Sequence, residues 1–353
     1  MKKINYFLLA VLSVSLSITS CKKEEVKVEY EFDNGIFVVN EGNFGQGNAS
    51  LSFADKDVQV VKNDVFFNKN QAQLGDVAQS IGFNGDNAYI VVNGSDKITV
   101  VNRNTMEYKV TIASGLENPR YFEALNEQTA LVSCWGDPMD DTDDYLAIVN
   151  TSSQTVTGSI PVNLGPEKMI KNDNYLFIAH KGAWGTNNKV SVYDLTLHQI
   201  THIIEVGNRP NSLIIEDDYL WVLCSGEPSW TGNETAGQLY KISLPDFSIS
   251  QVFDFATNEH PNFLTSNDDK LYYYLNGKIY QMDIDDTALP TSEFITYQGN
   301  AYNMEAYDDY LYITDAKDYV QEGELIVYDL SNGQEKSRKT VGIIPGDIGF
   351  NFE

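Results

Sequence analysis

A unit of turn, short apolar strand, acidic turn and second apolar strand recurs along this chain, and so small a recurring unit leaves few folds open. Its clearest copy is residues 206–226, VGNRPNSLIIEDDYLWVLCSG. There a Gly-Asn-Arg-Pro turn enters the apolar run 213–215, and Glu216-Asp217-Asp218 turns the chain into a second run at 220–223. Gly and Pro punctuate, and two short apolar runs flanking a polar turn read as a hairpin. The pattern returns at Gly165-Pro166 with 172–176, at His260-Pro261 with 267–271, and more weakly at Asn300-Ala301 with 308–311. Aligned on the residue opening each first strand, the copies sit at Ala78, Pro119, Pro166, Pro210, Pro261, Ala301 and Pro345, spaced by 41, 47, 44, 51, 40 and 44 residues. Third and fourth strands follow in most copies, as at 189–194 and 200–206, with an Asn or Asp closing the third strand where a tight turn begins. A period in the forties with four short strands per unit predicts an all-β fold, a β-propeller.

The chain ends complete the count. Six full copies run from about Gly75 to Gly342, and only a first strand, 345–351, remains after them. At the other end 35–40 reads as a second strand, 49–54 as a third and 58–66 as a fourth. One C-terminal strand joining three N-terminal strands makes a seventh blade, closes the ring and removes its free edges. A length of 353 residues, long for one ordinary domain, suits such a repeat, and 21 Tyr with 17 Phe favour strands. The formal charge of −26 speaks against a nucleic-acid partner, because phosphate binding is mainly a Lys/Arg effect.

Before the repeats, Lys2-Lys3 precede an apolar stretch, 7–18, too short to span a bilayer and shaped like a signal peptide. It ends Ile18-Thr19-Ser20-Cys21, which resembles a bacterial lipobox. The expected organisation is a lipoprotein signal peptide at 1–20, a lipid anchor on Cys21 with a tether over 21–34, and a propeller over 35–353. Lys22-Lys23-Glu24-Glu25 resembles the signal that sends some lipoproteins to the outer face of the outer membrane. Cys134 and Cys224 hold equivalent repeat positions two blades apart, beyond the ~7 Å Cα limit of a disulfide, and are expected as buried free thiols.

The Gly-x-x-Pro-x-x-Leu opening, followed by Leu-x-Val and Val-x-Val-Tyr-Asp strands, resembles the YVTN/YncE-like seven-bladed propellers. Residues 37–45, FVVNEGNFG, with 48–52, NASLS, resemble the N-terminus of the lipid-anchored surface propellers that include BtuG-type vitamin B12-capturing proteins. The resemblance implies a non-enzymatic binding protein with no cofactor. It would capture a corrinoid such as cobalamin as ligand and pass it to a TonB-dependent outer-membrane transporter.

Propeller ligands meet the loops at one end of the ring. Two loop sets should share that end, those entering each first strand and those leaving each second strand. Aromatics stand on several of the second set, which are Gly-rich: Phe44, Trp135, Trp184 and Trp230, with Tyr319 in a fifth loop. Converging on one mouth, they would offer flat apolar faces to a large rigid ligand; the competing expectation is that each packs on its neighbouring blade. Trp221, in a strand, is expected in the core. The opening loops add polar candidates at matching positions, Gln79, Arg120, Glu167, Asn211, Asn262 and Tyr302, flanked by Arg209 and His260. Other chemistry finds less support. The acidic run 137–144 lacks the Gly and terminal Glu of an EF-hand loop. Cys134, His180 and Cys224 share one repeat position on three consecutive blades, too far apart for one zinc ion. No Gly-x-Ser-x-Gly or His-Glu-x-x-His occurs. Two alternatives remain: an adhesion propeller stacking sugars on the same Trp, and a lactonase- or lyase-type enzyme needing carboxylates and a metal at the channel mouth.

Overall fold

The computed structural model describes residues 31–352, so the expected signal peptide and Cys21 lie outside the described residues. Among these residues the strands form seven four-stranded antiparallel sheets, six of them meanders of consecutive strands. Their first strands are Ala78–Asn84, Pro119–Asn126, Pro166–Asn172, Pro210–Glu216, Asn262–Asn267, Ala301–Tyr307 and Pro345–Asn351, which open blades 1 to 7 in that order. Each touches the first strand of the next blade, and blade 7 touches blade 1, so the first strands make a closed inner ring. Blade 7 joins Pro345–Asn351 to Gly35–Asn40, with Ile348 opposite Val38, and so closes the circle as the sequence predicts.

Seven apolar clusters hold the ring, one between each pair of adjacent blades. Second and third strands supply them because alternate residues reach the two neighbouring blades. Trp221, fully buried, packs with Phe253 and the side chains of blade 5. Each large side chain so buried contributes roughly 1.5–3 kcal/mol. Cys134 and Cys224 are both free and buried. Burial pushes the Cys134 thiol up to about 12, so it behaves as a small apolar side chain.

Two expectations need correction. Residues 58–66 are not a fourth strand: pairing is confined to Val61–Lys62, after which Asp64 takes a left-handed conformation and the helix Val65–Asn70 begins. That helix buries Val65 and Phe66 in the cluster between blades 7 and 1, doing the covering a longer outer strand would do. Phe32, placed in the tether by the sequence reading, is buried in that same cluster, and its N–H donates to the Asn104 carbonyl at 3.1 Å. Blade 5 likewise has an outer strand of two residues, Ile295–Thr296.

Candidate functional site

One backbone hydrogen bond, repeated blade after blade, builds the candidate end of the ring. The first residue after a second strand donates its N–H to the carbonyl of the residue before a first strand. The pairs are Asn93–Val77, Trp135–Asn118, Lys181–Gly165, Ser225–Arg209, Ala316–Asn300 and Glu41–Ile344, at 2.8 to 3.2 Å. The two loop sets therefore share one rim. Blade 5 has no such pair, because Asn276-Gly277, both at positive φ, turns its second strand directly into its third. Blade 1 spends only the short turn Asn93–Ser95 there. Longer loops fall into two arcs, one on blades 2 to 4 and one on blades 6 and 7.

Both arcs carry uncovered aromatics. Phe44 is 84% exposed, Trp230 77%, Trp184 70% and Tyr319 45%. Their loops are nonetheless fixed. A Cβ added at Gly165 would meet the Ala183 nitrogen at 2.0 Å, so the Trp184 loop lies directly on the turn into blade 3, where Asn187 also donates to the Leu164 carbonyl at 2.8 Å. In the other arc Asp76 accepts from the Gly45 N–H at 2.8 Å and the Gly47 N–H at 3.4 Å, while the Asn43 amide donates to the Tyr319 carbonyl at 2.7 Å. Asp76→Ala is expected to speed amide exchange at Gly45 and Gly47, through loss of charge-assisted bonds worth about 1.5–3 kcal/mol. Unchanged protection factors would show that the loop holds itself.

Trp135 departs from that picture. Its ring is half-buried under the Arg120 guanidinium, 4.1 Å from centroid to Cζ, and its Nε1–H donates to the Pro166 carbonyl at 3.2 Å. Trp184 and Trp230, by contrast, face an open cleft of about 630 Å³ with Arg209, Asn208, Glu227 and Asn233. Tyr319 meets Tyr302 edge-on at 5.8 Å.

Inside the rim a cavity of about 250 Å³ opens at the mouth of the inner ring. Gln79, Arg120, Glu167, Asn211, Asn262 and Tyr302 all line it, so the matching polar positions converge. Arg209 lines the Trp cleft instead, donating to the Gly185 carbonyl at 3.1 Å. His260 also lies away from the cavity, between the Ser225 carbonyl at 2.9 Å and Glu234 at 3.3 Å.

The sequence reading missed the next residue on five of the seven first strands: Tyr121, Lys168, Ser212, Phe263 and Asn303 line the same cavity. A β-bulge follows the opening residue of every first strand, so two successive side chains face the mouth where strict alternation would allow one. Glu41 and Lys181 enter from the loops. A polar residue directly after five of the six polar candidates, with Phe263 after Asn262, was the available signal, and it was weak.

Charges in the cavity are largely paired. Arg120 meets Glu167 at 3.2 Å, and Lys168 meets Glu305 at 2.9 Å. Tyr302 donates to Glu41 at 3.1 Å, and burial pushes the Glu41 carboxyl up to about 7. Asp347, which accepts from the Ile81 N–H, is likewise pushed up to about 7 by burial. His180 is buried between the Asn163 carbonyl and Ser191, its pKa pushed down to about 3 by burial, and takes no part in the mouth. In the acidic run, Asp143 accepts from the Asp137 N–H and Asp144 from the Gly165 N–H, which accounts for those two carboxylates structurally. No group of three His, Cys, Asp or Glu among the described residues forms a metal cage.

Three solved structures of similar shape are distant in sequence. A functionally unknown protein from Desulfotomaculum acetoxidans DSM 771 shares 13% identity, over 90% of this chain and 99% of its own, at a TM-score of 0.61. BamB from Moraxella catarrhalis shares 12% over 91% of both chains at 0.55. Kuenenia stuttgartiensis hydrazine synthase shares 15%, covering 76% of this chain and 88% of that one, at 0.59. At such identities the likeness shows the fold alone. No curated protein matches the chain. A family profile described as a domain of unknown function, DUF5074, matches residues 34–343.

Proposed function

The chain belongs to the DUF5074 family, whose description assigns no activity, and from that premise we propose that it is a capture protein holding a large, rigid, partly apolar ligand across the rim. The observation that carries this reading is the exposure of Phe44, Trp184 and Trp230 on loops held in place from beneath. Large apolar side chains on fixed loops lose little freedom on binding, which is what a binding surface needs and a packing role does not. A cavity of about 250 Å³ is too small for a macrocycle, so a ligand of that size would lie over the mouth. Arg120, Asn211, Asn262 and Tyr302 would face it from below.

The resemblance at residues 37–52 makes a corrinoid the ligand of choice. With Cys21 as lipid anchor at the outer-membrane surface, a TonB-dependent transporter would be the recipient. Binding without turnover is the activity proposed. Titrating the chain from residue 31 onward with cyanocobalamin should quench Trp fluorescence saturably. No change up to about 1 mM, a binding free energy weaker than about −4 kcal/mol, would remove the corrinoid from the reading.

The Trp184–Trp230 cleft supports a second reading. Two indoles beside Asn208, Asn233, Glu227 and Thr235 present the stacking faces and hydrogen-bonding groups a sugar ring uses. Glycan-array binding without corrinoid affinity would select it.

A further inference from the structure

Of the three cations that line the cavity, Arg120 and Lys168 have carboxylate partners and Lys181 has none. No hydrogen bond or ion pair joins its ammonium to any described residue. Burial lowers its pKa, Glu167 opposes that shift, and Arg209 and Arg120 reinforce it by repulsion. Glu167 is already engaged by Arg120 at 3.2 Å, so the neighbourhood of Lys181 holds an excess of positive charge inside a chain of net charge −26. An unpaired ammonium partly withdrawn from water costs stability unless something outside the chain completes it.

A second observation is independent of charge. Gln79 is only 6% exposed and lines the same cavity, yet its side-chain amide has no hydrogen bond to any described residue. Buried polar groups are ordinarily satisfied, so unsatisfied donors in one small cavity point to a missing acceptor. Negative charge from the protein itself does not fill this role: Glu41 is held by Tyr302 and Asp347 by the Ile81 N–H.

We propose that the cavity is an oxyanion site, in which the Lys181 ammonium and the Gln79 amide, flanked by Arg120, receive a phosphate or carboxylate group. This deepens the capture reading only in naming what dips below the rim: the ligand carries an anionic arm in addition to the apolar face seated on Trp184 and Trp230. The site itself requires no particular ligand body.

Calorimetric titration of the chain from residue 31 with inorganic phosphate, and separately with acetate, at about pH 6 tests the site directly. Saturable binding below about 10 mM by either anion is expected. Phosphate alone assigns a phosphate arm, and acetate alone a carboxylate arm. Lys181→Gln should weaken that binding at least tenfold while leaving the melting temperature unchanged or higher, since it removes a half-buried charge that has no ion-pair partner among the described residues. Lys181→Arg should recover most of the affinity. The proposal is overturned if neither anion saturates, or if Lys181→Gln binds as tightly as the parent chain. Phosphate binding without corrinoid binding keeps this site and removes the corrinoid. Corrinoid binding that neither phosphate competition nor Lys181→Gln weakens does the reverse.

Discussion

Replacing Trp184 and Trp230 together by alanine is expected to weaken ligand binding by about a thousandfold while barely moving the melting temperature. Each indole is a candidate anchor of the kind that costs roughly 2 kcal/mol or more when truncated, and the two face one cleft. Because they share that cleft their effects should be coupled, so the double variant must be measured beside both singles. Stability should hardly respond. At 70% and 77% exposure, neither ring fills space in the fold, and exposed substitutions usually fall within about 0.5 kcal/mol. Trp135→Ala supplies the contrast, since its ring supports Arg120 and its N–H is bonded to the Pro166 carbonyl. That variant should lose both stability and binding. Titration of the three variants, paired with thermal melts, decides the matter. Full affinity in the double variant would move the ligand off this rim, and a large drop in melting temperature would mean that the indoles are packed in solution.

How far the sequence reaches toward this surface differs from residue to residue. The ring was legible because each blade repeats its turn chemistry: Pro119, Pro166, Pro210 and Pro345 each begin a first strand where the spacing places one. Closure was legible because a lone first strand at 345–351 needs the partner that 35–40 lacks. The helix after Asp64 was not, since its run of apolar residues is short enough to read as strand and only tertiary covering decides it. Within the mouth, matching repeat positions located Arg120 and Glu167 but not Tyr121 or Lys168, which face the cavity because a bulge breaks the strand period of two. Nor could spacing separate Trp135, turned under a guanidinium, from Trp184, turned to solvent. Both stand beside glycine in loops that leave second strands, and what distinguishes them is whether an arginine on the adjacent strand offers a face. Lys181 was hidden for a related reason: an unpaired charge is a statement about every neighbour, and one sequence names only two of them.

Ending the chain at Ile344 should abolish the cooperative native state altogether. The deleted strand, Pro345–Asn351, pairs along the full length of Gly35–Asn40, whose six residues are all buried. It also lies between the first strands of blades 1 and 6, so its loss opens the inner ring at both sides. Ile348 leaves the cluster between blades 6 and 7, Asp347 no longer accepts from the Ile81 N–H, and Asn351 no longer donates to the Phe32 carbonyl at 2.6 Å. Without it, Gly35–Asn40 would present bare N–H and C=O groups along an apolar edge, an invitation to pair with another chain. The combined loss is comparable with the whole ~5–15 kcal/mol that holds a domain of this kind folded. Size-exclusion chromatography and circular dichroism should show association and no sharp melting transition. Because the missing piece is one edge strand, a peptide spanning 344–353 supplied in trans should add to the open sheet and restore the transition. A truncated chain that stayed monomeric and melted near the parent temperature would show that six blades suffice, and that the rim does not depend on the ring being closed.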